Sequence, residues 1–121
     1  MPLLNCLLCG GGDRPFSQQS ISGATDTIDP TLVNIELVVS SPTTMTSTPT
    51  IANGIYDNQQ VIIRGSNNTN TITLQSVTNL GGSNLFMDGG VDIVLGENDY
   101  IVFRWNNTTS NWCEQSRSVN S

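Results

Sequence analysis

The sequence predicts an all-β fold, an antiparallel β-sandwich or barrel-like domain of seven to eight short strands with an extended N-terminal arm. Three observations carry this. Runs rich in β-branched and aromatic residues recur at roughly ten-residue spacing between turn signals. No window keeps apolar residues at i, i+3, i+4 and i+7 over three helical turns. The polar positions are filled by Asn, Ser and Thr, and only 12% of the 121 residues are charged, which starves surface helices of their usual Glu, Lys and Arg. With 36% hydrophobic residues, a chain of this length supports one core, so the division expected is an arm over residues 1–30 and a β-domain over 31–121.

The arm begins with the apolar run Pro2 to Cys9 (PLLNCLLC). No basic residue precedes the run, Asn5 interrupts it, and it falls short of the roughly 20 residues that span a bilayer. It is therefore expected to be a retained apolar arm rather than a leader or an anchor. An apolar tip is costly to leave in water, so Leu3, Leu4, Leu7 and Leu8, with Phe16 further along, are the candidate partner-binding residues. Gly10, Gly11 and Gly12 form a joint, and the polar segment up to Pro30 shows no period.

The strands follow. Leu32 to Val39 alternates, with Val33, Ile35 and Leu37 on one side. Ser40 to Thr50 is Thr-rich and holds Pro42 and Pro49, which suits an edge or an irregular extended segment. Gln60 to Arg64 and Thr71 to Gln75 read as strands, separated by the Gly65 to Asn68 turn. Asn84 to Met87 and Val91 to Leu95 flank Asp88-Gly89-Gly90, which reads as a tight hairpin. Tyr100 to Trp105 is the strongest strand, and the Asn106 to Asn111 turn leads into Trp112 to Arg117. A hairpin there brings Trp105 and Trp112 together.

Charge and chemistry narrow the function. The net charge is −6, and the only basic residues are Arg14, Arg64, Arg104 and Arg117, so nucleic acid and anionic membrane are not expected partners. The chain has no His, which removes the commonest general base and metal ligand. Arg64 and Arg104 lie inside strands and are expected on a solvent-facing stripe; Arg117 can pair with nearby Glu114. Asp88, Asp92, Glu97 and Asp99 crowd one Gly-rich stretch, but the spacing matches no calcium loop, and turn-forming carboxylates explain it better. Neither a cofactor nor a metal is expected, and the chain reads as no enzyme.

Cys6, Cys9 and Cys113 are odd in number. The Cys6–Cys9 spacing lacks a second pair and any His to complete a zinc site. Buried small hydrophobes are one reading. A disulfide from Cys6 or Cys9 to Cys113, or to a neighbouring subunit, is the other.

From Asn53 to Asn120 the chain resembles a β-module recurrent in virion proteins of tailed phages. The matching pieces are Gln60-Val61-Ile62, Asn70-Thr71-Ile72-Thr73-Leu74, the Gly-rich stretch Leu85 to Val91, the Gly96 to Asp99 turn, Tyr100 to Trp105, and the close Trp112 to Ser118, which departs in having Cys113 after the Trp. The resemblance implies a capsid decoration or cement protein, a homo-oligomer, in all expectation a trimer, bound to the major capsid protein or another virion protein on the capsid surface. The alternative it implies is a tail-fibre, spike or baseplate subunit that contacts host glycans. From a different class comes a carbohydrate-binding module, for which Tyr56, Tyr100, Trp105 and Trp112 are the stacking candidates.

Overall fold

The longer inner strands form where apolar residues alternate. The structure is a computed structural model, and it describes residues 15–119. Among these lie nine strands: β1 (Ser17–Ser20), β2 (Asn34–Val38), β3 (Thr43–Thr44), β4 (Gln60–Gly65), β5 (Ile72–Leu74), β6 (Leu85–Phe86), β7 (Ile93–Leu95), β8 (Tyr100–Asn106) and β9 (Asn111–Ser118). Short 3-10 turns span Pro30–Leu32 and Asp88–Gly90, and no α-helix occurs among the described residues. The all-β expectation holds.

The strands make two sheets, one of six in the order β1-β2-β4-β8-β9-β6 and one of three in the order β3-β5-β7. From β2 to β5 the chain alternates between them, so it winds as a coil. β2 lies parallel to β4 in the larger sheet, β3 parallel to β5 in the smaller, and a parallel bridge joins Ile28 to Ile51 between successive passes. The antiparallel hairpin β8–β9 then closes against β4. Inward residues of both sheets share one core: Ile35, Leu37, Val61, Ile63, Ile101, Phe103, Trp105 and Trp112 from the larger, Ile72, Leu74, Ile93 and Leu95 from the smaller.

Three expectations are corrected. The sheets are mixed rather than antiparallel, with four parallel pairings (β1–β2, β2–β4, β3–β5, β6–β9) and three antiparallel ones. Alternation assigns a residue to a face but is blind to direction. The long polar connections supply the crossover of a dozen or more residues that a parallel return requires. Second, Asp88–Gly90 is no hairpin. β6 pairs with β9 in the larger sheet and β7 with β5 in the smaller, so the glycines, at φ +65° and +67°, turn a corner between sheets.

Third, the folded unit begins before residue 31. β1 joins the larger sheet, and Ile21 and Ile28 are core residues, so residues 17–30 belong to the domain and not to an arm. The start of β2 also moves. Val33 adopts φ +68°, outside the strand region, which confines β2 to Asn34–Val38. Its carbonyl still accepts from the Ile62 backbone N–H at 2.8 Å.

Candidate functional site

Two features on the surface stand apart from the ordinary solvated loops. The first is the turn from Asn53 to Gln59, which leads into β4. Ile55 and Tyr56 are 74% and 62% exposed there, the two most exposed large hydrophobic side chains among the described residues. Turns favour Gly, Asn, Asp and Ser, so two bulky apolar residues in one have no local conformational reason. Nor does the turn hang loose. The buried Gln59 side chain accepts from the Ile55 backbone N–H at 2.6 Å, and the Gln59 N–H donates to the Tyr56 carbonyl at 3.2 Å. Asn58, at φ +68°, donates its N–H to the Trp105 carbonyl, and the Asp57 carboxylate accepts from the Asn107 N–H at 2.9 Å. Gly54 lies so close over the Trp105 indole that a Cβ there would fall 2.2 Å from Cγ. The turn is bolted to the β8–β9 hairpin and presents Ile55 and Tyr56 outward.

The second feature is a cleft of about 330 Å³ beside the edge strand β7. Ile93, Val94 and Val119 give it apolar surface, with Val94 51% and Val119 48% exposed, while Asp92, Asp99 and Arg117 contribute charge. These charged groups are committed to the fold. Asp92 Oδ1 accepts from the Ser76 N–H and from Asn79 Nδ2, each at 2.8 Å. Asp99 Oδ2 accepts from the Gly96 N–H at 2.9 Å, closing the turn before β8. Arg117 grips Glu114 with Nε and Nη2 at 2.8 Å each and donates to the carbonyls of Val91 and Asp92. The Arg117 guanidinium holds the Glu114 carboxyl below the usual carboxylate range, helped by the Asp88 N–H and opposed by burial. The expected Arg117–Glu114 pair is present, and of the crowded acids Asp92 and Asp99 serve turns and backbone.

Among the described residues no group of three or more Cys, Asp and Glu converges in a way that could hold a metal ion. Another hollow, about 280 Å³, lies against the bolted turn and is lined by residues that include Asp57, Asn58, Arg104 and Cys113. Burial pushes the Cys113 thiol up, away from the reactive thiolate. Its expected disulfide partners, Cys6 and Cys9, lie outside the described residues.

Of the expected partner-binding residues, Leu3, Leu4, Leu7 and Leu8 also lie outside the described residues. Phe16 is half-buried just before β1, with the Arg64 guanidinium 3.9 Å from its ring centroid. Arg64 in turn meets Glu36 at 3.1 Å across the registered pair of β2 and β4. So Phe16 packs on its own sheet, and Arg64 is paired within the chain. Arg104 is exposed and makes no ion pair among the described residues. Trp105 and Trp112 are registered opposite each other, 5.2 Å apart at 58°, and are 3% and 0% exposed.

Ile55 was not among the sequence candidates, and Tyr56 entered only as a stacking residue. The signal was there to read: an Asn-Gly-Ile-Tyr-Asp-Asn stretch places two large apolar residues where only turn formers are needed. No protein-family model matches the chain, and no curated protein matches it.

Proposed function

We propose that the chain is a non-enzymatic structural protein of a tailed-phage virion, a capsid decoration or cement protein that binds the assembled shell across capsomer junctions as a homotrimer. The observation that carries the reading is the bolted turn: a domain whose buried carboxylates serve its own loops offers Ile55 and Tyr56, rigidly held, to something outside itself. Aromatic and aliphatic side chains already fixed in place lose little entropy on docking and are the usual anchors of protein interfaces. The resemblance over Asn53 to Asn120 supports the virion, and the mixed two-sheet core is read as an open sandwich.

A protein that binds the assembled shell and not its separate subunits stabilises the shell by mass action. A surface of Asn, Ser and Thr suits that task, because neutral polar groups cost less to desolvate than ions. Cryo-electron microscopy of the particles that carry the chain tests the placement. Density at capsomer junctions is expected, and density confined to the tail would replace the cement reading with the fibre or baseplate one. A version lacking residues 1–12 is expected to fold and to lose shell attachment; unchanged occupancy would remove the docking role of Leu3, Leu4, Leu7 and Leu8. The carbohydrate-binding alternative is the weaker, because Trp105 and Trp112 are buried against each other and only Tyr56 and Tyr100 offer a face.

A further inference from the structure

We infer that residues 1–14 of this chain fold back across the outer face of the six-stranded sheet, so that Leu7 and Leu8 cover Val102 and Phe86. This goes beyond the proposed function, because it concerns the free protein before attachment to any shell. Val61, Ile63, Ile101, Phe103 and Trp112 belong to the core, so their neighbours along β4, β8 and β9 point away from it. Those neighbours are not uniformly polar. Ile62 and Val102 form a registered, half-buried pair, and Phe86 on β6 stands opposite Cys113. Tyr100 is 39% exposed and Phe86 55%. Two charged residues on this face, Glu36 and Arg64, already meet each other. An apolar track of this kind on the outside of a sheet marks a docking surface.

Continuity of the chain selects the occupant. Phe16 precedes β1, and the β1–β2–β4 register, extended by one residue, puts it in line with Asn34 and Ile62. Its ring meets the Arg64 guanidinium on that face, so the chain enters β1 from the outer side. Residues 1–14 come before this point, outside the described residues, and they hold the apolar run with Leu3, Leu4, Leu7 and Leu8. From Phe16 to Cys113 is four strand spacings across the sheet and two residues along it, about 20 Å. Leu8 stands eight residues before Phe16, a reach of up to about 26–29 Å. The arm is therefore long enough to bring its leucines to Val102, Cys113 and Phe86. Four leucines are costly to leave in water, and the track takes them without any partner.

Alkylation of Cys113 by iodoacetamide in the full, reduced chain tests this, with the label on each cysteine read separately by peptide mass spectrometry. Cys113 stands on the track opposite Phe86, so a docked arm shields it. One variant carries Leu7→Ser with Leu8→Ser, and a control carries Val94→Ser on the smaller sheet. Loss of two covered leucines is expected to speed alkylation of Cys113 at least about 10-fold. The control is expected to keep the wild-type rate. A rate unchanged by the leucine substitutions overturns the inference, and so does a control that speeds equally. Dilution tells whose arm is bound. Shielding that is equal at high and low protein concentration supports the chain's own arm, whereas shielding that fades on dilution overturns it in favour of an arm lent by a second copy. Each failure leaves the virion reading to its own test by microscopy.

Discussion

Arg117 and Glu114 sit three residues apart on β9, yet their contacts reach the corner between the two sheets. The Glu114 carboxylate also accepts from the Asp88 N–H at 3.0 Å, and Arg117 donates to the carbonyls of Val91 and Asp92 just before β7. The pair clasps the corner turn to the larger sheet. The Glu114 side chain is only 3% exposed and that of Arg117 25%, so the carboxylate end of the clasp is shielded from water. Because the Glu114 carboxyl is held below its ordinary value in the folded protein, its contribution is present above the unfolded value and is lost as pH falls through the folded one. Glu114→Gln is expected to flatten that acid limb and to lower stability at pH 7, read by denaturant unfolding across pH. Trp112 decides more. It is fully buried, faces Trp105, and donates its Nε1 hydrogen to the Ala52 carbonyl at 3.1 Å. Trp112→Ala is expected to cost about 3–5 kcal/mol in the same measurement. This pair was legible beforehand, because a six-residue polar stretch between two Trp residues in strand-like runs admits little but a hairpin.

Strand positions were legible wherever apolar residues alternate, as in β4, β5 and β8. Pairing was not, since the same alternation serves parallel and antiparallel partners. β1 escaped altogether. Ser17-Gln18-Gln19-Ser20 has no apolar residue, and its place is kept by hydrogen bonds: Gln18 Nε2 to Glu36 at 2.8 Å, Gln19 Nε2 to the Thr27 carbonyl at 3.0 Å, and the Asp29 N–H to Gln19 Oε1 at 2.9 Å. Side-chain bonding of this kind leaves no periodic mark. The end of β4 shows a second device without apolar pattern. A Cβ at Gly65 would lie 2.5 Å from the Gly96 carbonyl oxygen and 2.6 Å from the Leu95 carbonyl carbon, where β4 runs against the turn after β7. Backbone meets backbone there, so neither side has a rotamer to yield. Gly65→Ala is expected to destabilise the fold by about 1–3 kcal/mol, as overpacking does, measured by thermal unfolding. Amide exchange should rank the elements as well, with β4, β8 and β9 slowest and the two-residue strands β3 and β6 fastest.

At the scale of the molecule, the boundary drawn at residue 30 is the expectation that failed most instructively. Composition changes at residue 31, but the fold begins at β1 because the coil needs a first pass for β2 to lie against. Removal of residues 1–12 is therefore expected to preserve cooperative unfolding. Removal of residues 1–30 takes β1, Ile21 and Ile28 and is expected to abolish it, with circular dichroism melts of the two truncations as the comparison. The candidate site was less legible than the core, because exposed apolar residues in a turn leave no pattern, only an oddity of composition. The sheet order has a consequence in time. β8 and β9, the last two strands among the described residues, lie between β4 and β6, which precede them in the chain. At about 5–20 residues per second, a ribosome finishes β4 several seconds before β9 has emerged to complete the sheet. Until then one edge of β4 waits without its partner, and the larger sheet is complete only once β9 has emerged.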